Sequence, residues 1–361
     1  MSLHPRPEIA DLKTCPHGGP DYSELERLGF KPEDVLDFSV SANPFGPPPG
    51  IKEALSSAVI DRYPDADSAE LKRTIAKSFS MTPENIIVGS GSMELIRLIA
   101  LAYLGRDDTV LIIEPTFGEY EVACHIVGSK ILKHRTQEEE GFKLNVDETI
   151  DLVGCHRPKI VFLCNPNNPT GQYLAEQEIE KILSAGEDTL LALDEAYISF
   201  AENPWRSLDL VKENNIIILR SMTKDYALAG LRLGYGIACP EIIATLRKVC
   251  PPWNVNAVAQ RAGVLALGDS AYLKQCQKGV REAREFLKRE LAQLGLPPMS
   301  SQAHFFLVKV GDAKQFRQDL LKYGIMVRDC TSFGLPEYIR IAPRSLPECQ
   351  KLINAIRAVR K

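Results

Sequence analysis

The sequence predicts an α/β protein: a large domain with a mostly parallel sheet sandwiched by helices, followed by a smaller α+β domain. Three observations carry this expectation. The chain has 361 residues, enough for about two domains. Its middle alternates short apolar runs with stretches of helical period. Beyond residue 250 that alternation gives way to one long amphipathic stretch and a few shorter elements.

The apolar runs of the middle are NIIVG (85–89), TVLIIEP (109–115), KIVFLCNP (159–166), TLLALDEAY (189–197), NIIILRS (215–221) and GYGIAC (234–239). Most are separated by helix-period segments such as SMELIRLIALAYL and LAEQEIEKILSAG. Strands that are apolar on both faces and linked by helices make a parallel sheet covered on both sides. The large domain is predicted to span 60–250. In 251–361, an amphipathic stretch (271–295) runs through the break GLPPMSS into HFFLVKV, a helix-like segment (312–322), IMVR, YIRIA and a last helix (346–359). Residues 1–59, rich in Pro and Gly around SANPFGPPPG, are too few to fold alone. They are expected to pack on the small domain or on a neighbouring subunit.

Composition excludes several classes. The chain is 45% hydrophobic and 25% charged, with a net charge of -4 and scattered basic residues, so neither nucleic acid nor an anionic membrane is expected as a partner. No run of about 18 apolar residues is present to span a bilayer. MSLHPRPEIADLK lacks the order of a signal peptide. The nine cysteines are odd in number and never spaced C-x-x-C, which reads as reduced thiols in a cytoplasmic protein. The six histidines are dispersed, so no metal site is expected.

Five segments carry candidate chemistry, each at the end of a predicted strand. In SMTKDYALAGLRLG (221–234), Lys224 offers an amine beside Ser221 and Thr223, with Arg232 eight positions on. Ligands of open α/β sheets gather at such strand ends. In LALDEAYISF (191–200), Asp194 is a carboxylate that needs a compensating partner if buried, such as a protonated ring nitrogen, and Tyr197 follows it. CNPNNPTG (164–171) forms a tight turn that presents Asn168. In VGSGSMELIRLIA (88–100) a Gly/Ser turn opens a helix, so the free amides of Gly91, Ser92 and Met93 suit a phosphate. In EPTFGEY (114–120), Phe117 offers a face for stacking. Taken singly, each also reads as an ordinary surface lysine, turn, strand-end cap or core ring.

Their order along the chain closely resembles fold-type I pyridoxal-phosphate enzymes of the aminotransferase class I/II family, over almost the whole chain. The resemblance implies pyridoxal 5'-phosphate as cofactor, held by Lys224 as a Schiff base. It implies Asp194 at the pyridine nitrogen, Asn168 and Tyr197 at the phenolic oxygen and Phe117 over the ring. Ser92, Ser221 and Arg232, with Gly91, Met93 and Thr223 beside them, would surround the cofactor phosphate. Tyr63 in RYPD matches a tyrosine that relatives lend to the phosphate from the other subunit, which implies a homodimer with shared sites. The pattern fills the chain and leaves no room for a helix-turn-helix domain, which speaks against a non-catalytic regulator.

Within the family, two neighbours are similar: histidinol-phosphate aminotransferases and threonine-phosphate decarboxylases of cobalamin synthesis. Both imply a phosphorylated amine as substrate, with Arg328 in IMVRDC and Arg340 in EYIRIAPR on its anionic groups. CPHGGP (15–20), VLDFSVSANPFGPPPGI (35–51) and PPWNVNAVAQ (251–260) resemble the decarboxylase pattern, implying His17 and Asn43 in substrate binding. That likeness sets the expectation of threonine O-3-phosphate decarboxylation, with histidinol-phosphate transamination as the alternative. His304 in AHFFLV stands where many relatives carry Asn, leaving part of the substrate pocket open.

Overall fold

In the computed structural model, which describes residues 3–10 and 12–360, the described residues form three sheets. Residues 1, 2 and 11 of the expected N-terminal segment, and 361 of the C-terminal one, lie outside the described residues. The largest sheet has seven strands: β2 (Ile86–Gly89), β3 (Thr109–Glu114), β4 (Lys130–Arg135), β5 (Ile160–Cys164), β6 (Leu190–Asp194), β7 (Ile216–Ser221) and β8 (Gly234–Ala238). Their order is β2-β8-β7-β6-β5-β3-β4. Neighbours from β7 to β4 are parallel, and β8 runs antiparallel to both β7 and β2.

Side chains alternate across a strand, so each apolar run feeds two cores. Leu111, Val161, Leu191, Leu193 and Ile218 join one face, while Val110, Phe162, Ala192, Ile217 and Leu219 join the other. Each fully buried Leu or Ile contributes roughly 1.5–3 kcal/mol relative to exposure. Helices cover both faces; Ser92–Tyr103 buries Leu95, Ile96, Leu98, Ile99 and Ala100 at helical spacing.

Strand β4 (KILKHR) is not singled out by the apolar pattern. It is one of the two edge strands and, unlike β2 at the other edge, is largely exposed, so it needs no continuous apolar run.

A three-stranded antiparallel sheet is built from β11 (Arg328–Asp329), β12 (Tyr338–Ile341) and β9 (Phe306–Lys309), in that order. A pair of short parallel strands joins β1 (Leu36–Asp37) to β10 (Ile325–Met326). Leu25 and Val35 pack with Leu321 and Met326, and Arg317 forks onto the Glu24 carboxylate at 2.8 and 2.5 Å. The N-terminal segment is thereby tied to the C-terminal region. The helix Ser270–Gln293, capped by Asp269 on the Tyr272 amide, packs against the helix Leu346–Val359. Among the described residues no helix is long and apolar enough to cross a membrane.

Candidate active site

Strand register explains why residues far apart in sequence converge. In parallel β5, β6 and β7, Cys164 is level with Asp194, and Asp194 with Leu219. Antiparallel β8 begins at the same edge, with Gly234 level with both Ser221 and Gly89. The ends of four strands and the start of a fifth therefore open on one cavity of about 250 Å³.

At one end of it lie Ser92 and Met93 of the helix start, Ser221, Thr223 and Arg232. The Ser221 and Thr223 hydroxyls are 2.6 Å apart. Gly91 precedes the helix with φ 80°, a region that disfavours side chains, and a methyl group there would meet Arg232 Nη2 at 2.7 Å. That close approach brings the guanidinium against a helix N-terminus, a combination that selects an anion.

Asp194 is buried beside the cavity floor. Its Oδ2 accepts from Tyr120 Oη at 2.7 Å and its Oδ1 from the Ala196 amide at 3.0 Å. Burial is the larger influence and raises the carboxyl above its ordinary value; the Tyr120 hydrogen bond opposes it. A carboxylate in this position calls for a cationic partner within the cavity.

Lys224 lies in the one-turn helix Met222–Asp225 after β7, its Nζ 5.8 Å from the Tyr197 ring centroid. Burial, then the Arg340 and Arg232 charges, lower its ammonium to about 8. Its segment is braced from outside the cavity. The Asn43 amide nitrogens donate to the Lys224 carbonyl at 2.8 Å and the Asp225 carbonyl at 3.0 Å, and Ser199 donates to the Asp225 carboxylate at 2.6 Å.

Two arginines face this group. Arg340 of β12 is buried, donates to the Ser39 carbonyl at 2.7 Å and to the Asn168 side-chain oxygen, and has an Nε with no partner. Arg328 of β11 donates to the His17 and Pro16 carbonyls at 2.7 and 2.8 Å and to Ser332 at 2.7 Å. The small sheet thus supplies the cations and the large sheet the amine and carboxylate. Phe117 completes a wall, edge-on to Tyr120 at 5.7 Å.

Of the residues expected from sequence, the cavity brings together His17, Ser92, Met93, Phe117, Asn168, Asp194, Tyr197, Ser221, Thr223, Lys224, Arg232, Arg328 and Arg340. Gly91 lies beside Arg232. Asn43 does not line the cavity; its backbone amide donates to the Lys224 carbonyl and its buried side chain to the Asp225 carbonyl. Tyr63 is 76% exposed, stacked on Trp253 at 4.5 Å and away from this chain's own cavity. His304 is buried among Phe200, Tyr197 and Phe305, and burial pushes its imidazolium down to about 3, so it is neutral. It faces a neighbouring cavity of about 470 Å³ that holds neither Lys224 nor Asp194.

Sequence reasoning missed Tyr120 and Glu119. Both belong to EPTFGEY, and the signal is positional: a helix opening at Glu119 turns its first residues back toward the strand end. It also missed the Ser39 carbonyl, which carries no side-chain signature.

A family model, aminotransferase class I and II, matches residues 33–356. The chain is 34% identical to a histidinol-phosphate aminotransferase of Moorella thermoacetica, over 98% of this chain and 92% of that one. A histidinol-phosphate aminotransferase of Sinorhizobium meliloti, solved in complex with pyridoxal-5'-phosphate, superposes with a TM-score of 0.88 at 24% identity, covering 99% of this chain and 98% of that one. An L-threonine-O-3-phosphate decarboxylase of Porphyromonas gingivalis gives 0.79 at 27% identity, over 89% of this chain and 98% of that one. Architecture is common to both activities.

The expectation of decarboxylation is overturned. Curated relatives 31–36% identical over 88–99% of this chain carry the name histidinol-phosphate aminotransferase. The physical reason lies in what the decarboxylase-like residues do. The His17 carbonyl holds Arg328, the Gly19 amide bonds Ser39 at 3.0 Å, and Asn43 braces Lys224. Such positioning serves either bond cleavage and selects neither. The chain belongs to the aminotransferase class I and II family, whose cofactor is pyridoxal 5'-phosphate.

Proposed function

We propose that this chain is an aminotransferase acting on histidinol phosphate, with 2-oxoglutarate and glutamate as the exchanging pair. The observation that carries the reading is the convergence on one cavity of an amine, a buried carboxylate, an anion cradle and two further arginines. The names borne by the relatives direct it to this substrate.

Two observations support the fit of the cofactor. The helix-start amides, two hydroxyls and Arg232 form a donor set for a phosphate, and Asp194 lies buried without a cation of its own. Ser92, Ser221, Thr223 and Arg232 would hold the phosphate, Asp194 the ring nitrogen, Asn168 and Tyr197 the ring oxygen, and Phe117 a ring face. When bound, the cofactor supplies an electron sink for the carbon bearing the substrate amine.

Lys224 is the residue that binds the cofactor and moves the proton at that carbon. Its amine is free over a usable fraction near neutral pH because burial and two guanidiniums disfavour its charge. Asp194 keeps a proton on the ring nitrogen, and Arg340 and Arg328 orient the substrate's anionic groups. Uptake of pyridoxal phosphate by the cofactor-free chain is accordingly expected to speed up about tenfold per pH unit below about 8 and level off above it. Stopped-flow absorbance checks this; a flat profile from pH 6 to 9 contradicts the lysine's role.

The substrate assignment is tested by paired assay. Histidinol phosphate with 2-oxoglutarate is expected to yield glutamate without CO2. Release of CO2 from threonine O-3-phosphate with no transfer to 2-oxoglutarate overturns it.

We further place the enzyme in the cytoplasm as a homodimer. All nine cysteines are free, which suits a reducing compartment. Tyr63, exposed with Trp253 beside it, is positioned for a second copy rather than its own cavity. Sedimentation equilibrium is expected to return twice the chain mass, and a monomer at micromolar concentration removes this assignment.

A further inference from the structure

The dispersed histidines of the sequence predict no metal site, yet folding brings three ligand types together at the cavity wall. Cys15 Sγ, a His17 ring nitrogen and a Glu119 carboxylate oxygen lie within 4.8 Å of one another. His17 Nε2 is 3.1 Å from Glu119 Oε1, and the other carboxylate oxygen is held by Arg97 at 3.1 Å. Glu119 is buried at the start of its helix. The segment carrying Cys15 and His17 is anchored by Arg328 through the Pro16 and His17 carbonyls. Gly118 admits the thiol: a methyl group there would meet Cys15 Sγ at 2.6 Å.

We propose that Cys15, His17 and Glu119 form a binding site for one zinc-class divalent cation, and that its occupancy inhibits the enzyme. Thiolate, imidazole and carboxylate are the donor set of such ions, and bonds of about 2.0–2.3 Å place tetrahedral ligands roughly 3.3–3.8 Å apart, within the 4.8 Å that bounds these three atoms. Three protein ligands leave a fourth position for water or an anionic oxygen. Thiolate and carboxylate together neutralise the ion. Arg97 orients the carboxylate from behind, while its charge and that of Arg328 keep binding weaker and more reversible than at a structural zinc centre.

Cys15 and His17 line the same cavity as Lys224. A bound ion replaces the His17–Glu119 hydrogen bond with metal bonds and pins residues 15–17, which line the cavity, to the helix start. The binding half stands on this geometry alone; the inhibitory half rests on the aminotransferase reading.

The test titrates the holoenzyme with zinc by calorimetry and with cadmium by its ultraviolet thiolate absorption. Expected are one equivalent bound, loss of the cadmium–thiolate band in Cys15→Ser, and zinc affinity at least about tenfold lower in Cys15→Ser and Gly118→Ala. Cys155→Ser, at an exposed thiol elsewhere, is expected to match the parent. Turnover measured with and without zinc is expected to fall in the parent and to resist in Cys15→Ser. Absence of stoichiometric binding, or a band indifferent to Cys15→Ser, overturns the site. Stoichiometric binding with undiminished turnover overturns the inhibition. An inactive preparation that still binds the ion through Cys15 supports the site and faults the functional reading instead.

Discussion

Lys224→Ala is expected to lower histidinol-phosphate turnover by about four orders of magnitude or more, the combined loss of a covalent anchor and a proton carrier. Tyr197, the phenol in the same cavity, is held protonated by burial and is a poor substitute base. The visible band of the covalently held cofactor should vanish with activity, while pyridoxal phosphate still binds, because the phosphate cradle is untouched. Circular dichroism and thermal melting should show the fold retained: Lys224 Nζ makes no hydrogen bond that the architecture depends on, and the bracing by Asn43 runs through backbone atoms. Residual turnover above about one per cent, in protein of intact fold, would remove Lys224 from the centre of the reaction.

Asp194→Asn is the second large effect, a loss of about 10²–10³ in kcat, the scale of one preorganised electrostatic partner. Asn preserves size and an acceptor for Tyr120 Oη while removing the charge proposed to keep the ring nitrogen protonated. The same variant makes a prediction of opposite sign in the cofactor-free chain. Burial raises the Asp194 carboxyl above its unfolded value, so the folded state holds a proton that the unfolded state has released. Its contribution to stability is present below the unfolded pKa and is lost as pH rises through the folded one. Ionising the carboxyl in the cofactor-free parent buries a charge that the Tyr120 and Ala196 hydrogen bonds only partly offset, and cofactor-free Asp194→Asn should melt at or above the parent. With cofactor bound, the order reverses. A kcat within threefold of the parent, or a lower melting point without cofactor, would show that the carboxylate meets some other partner.

Elements governed by one physical constraint over a contiguous stretch are the ones written plainly into the sequence. Strands buried on both faces need unbroken apolar runs, so β2, β3, β5, β6, β7 and β8 were legible; β4, at the edge and half in solvent, was not. Strand-end chemistry was legible for the same reason: in a mostly parallel sheet the loops that follow the strands share one edge, and a polar residue ending an apolar run marks that edge. Lys224, Asp194, Asn168 and the helix start at Ser92 announce themselves in this way.

Three things required the tertiary structure. Asn43, expected at the substrate, braces the lysine's segment instead, its backbone amide on the Lys224 carbonyl and its side-chain amide on that of Asp225, because an amide bonds whichever backbone passes it and sequence distance does not say which. Tyr120 and Glu119, unremarkable in sequence, reach Asp194 and His17 only through the turn of a helix that begins between them and Phe117. The resemblance to decarboxylases in the first 51 residues did not fix the reaction, since those residues position the lysine segment and an arginine without touching the choice of bond. Sequence by itself determined the sheet and most of the residues that meet at its strand-end cavity, because burial and strand-end geometry write those into local pattern. What each polar side chain finally touches, and the meeting of Cys15 and His17 with a glutamate a hundred residues away, were decided only by packing.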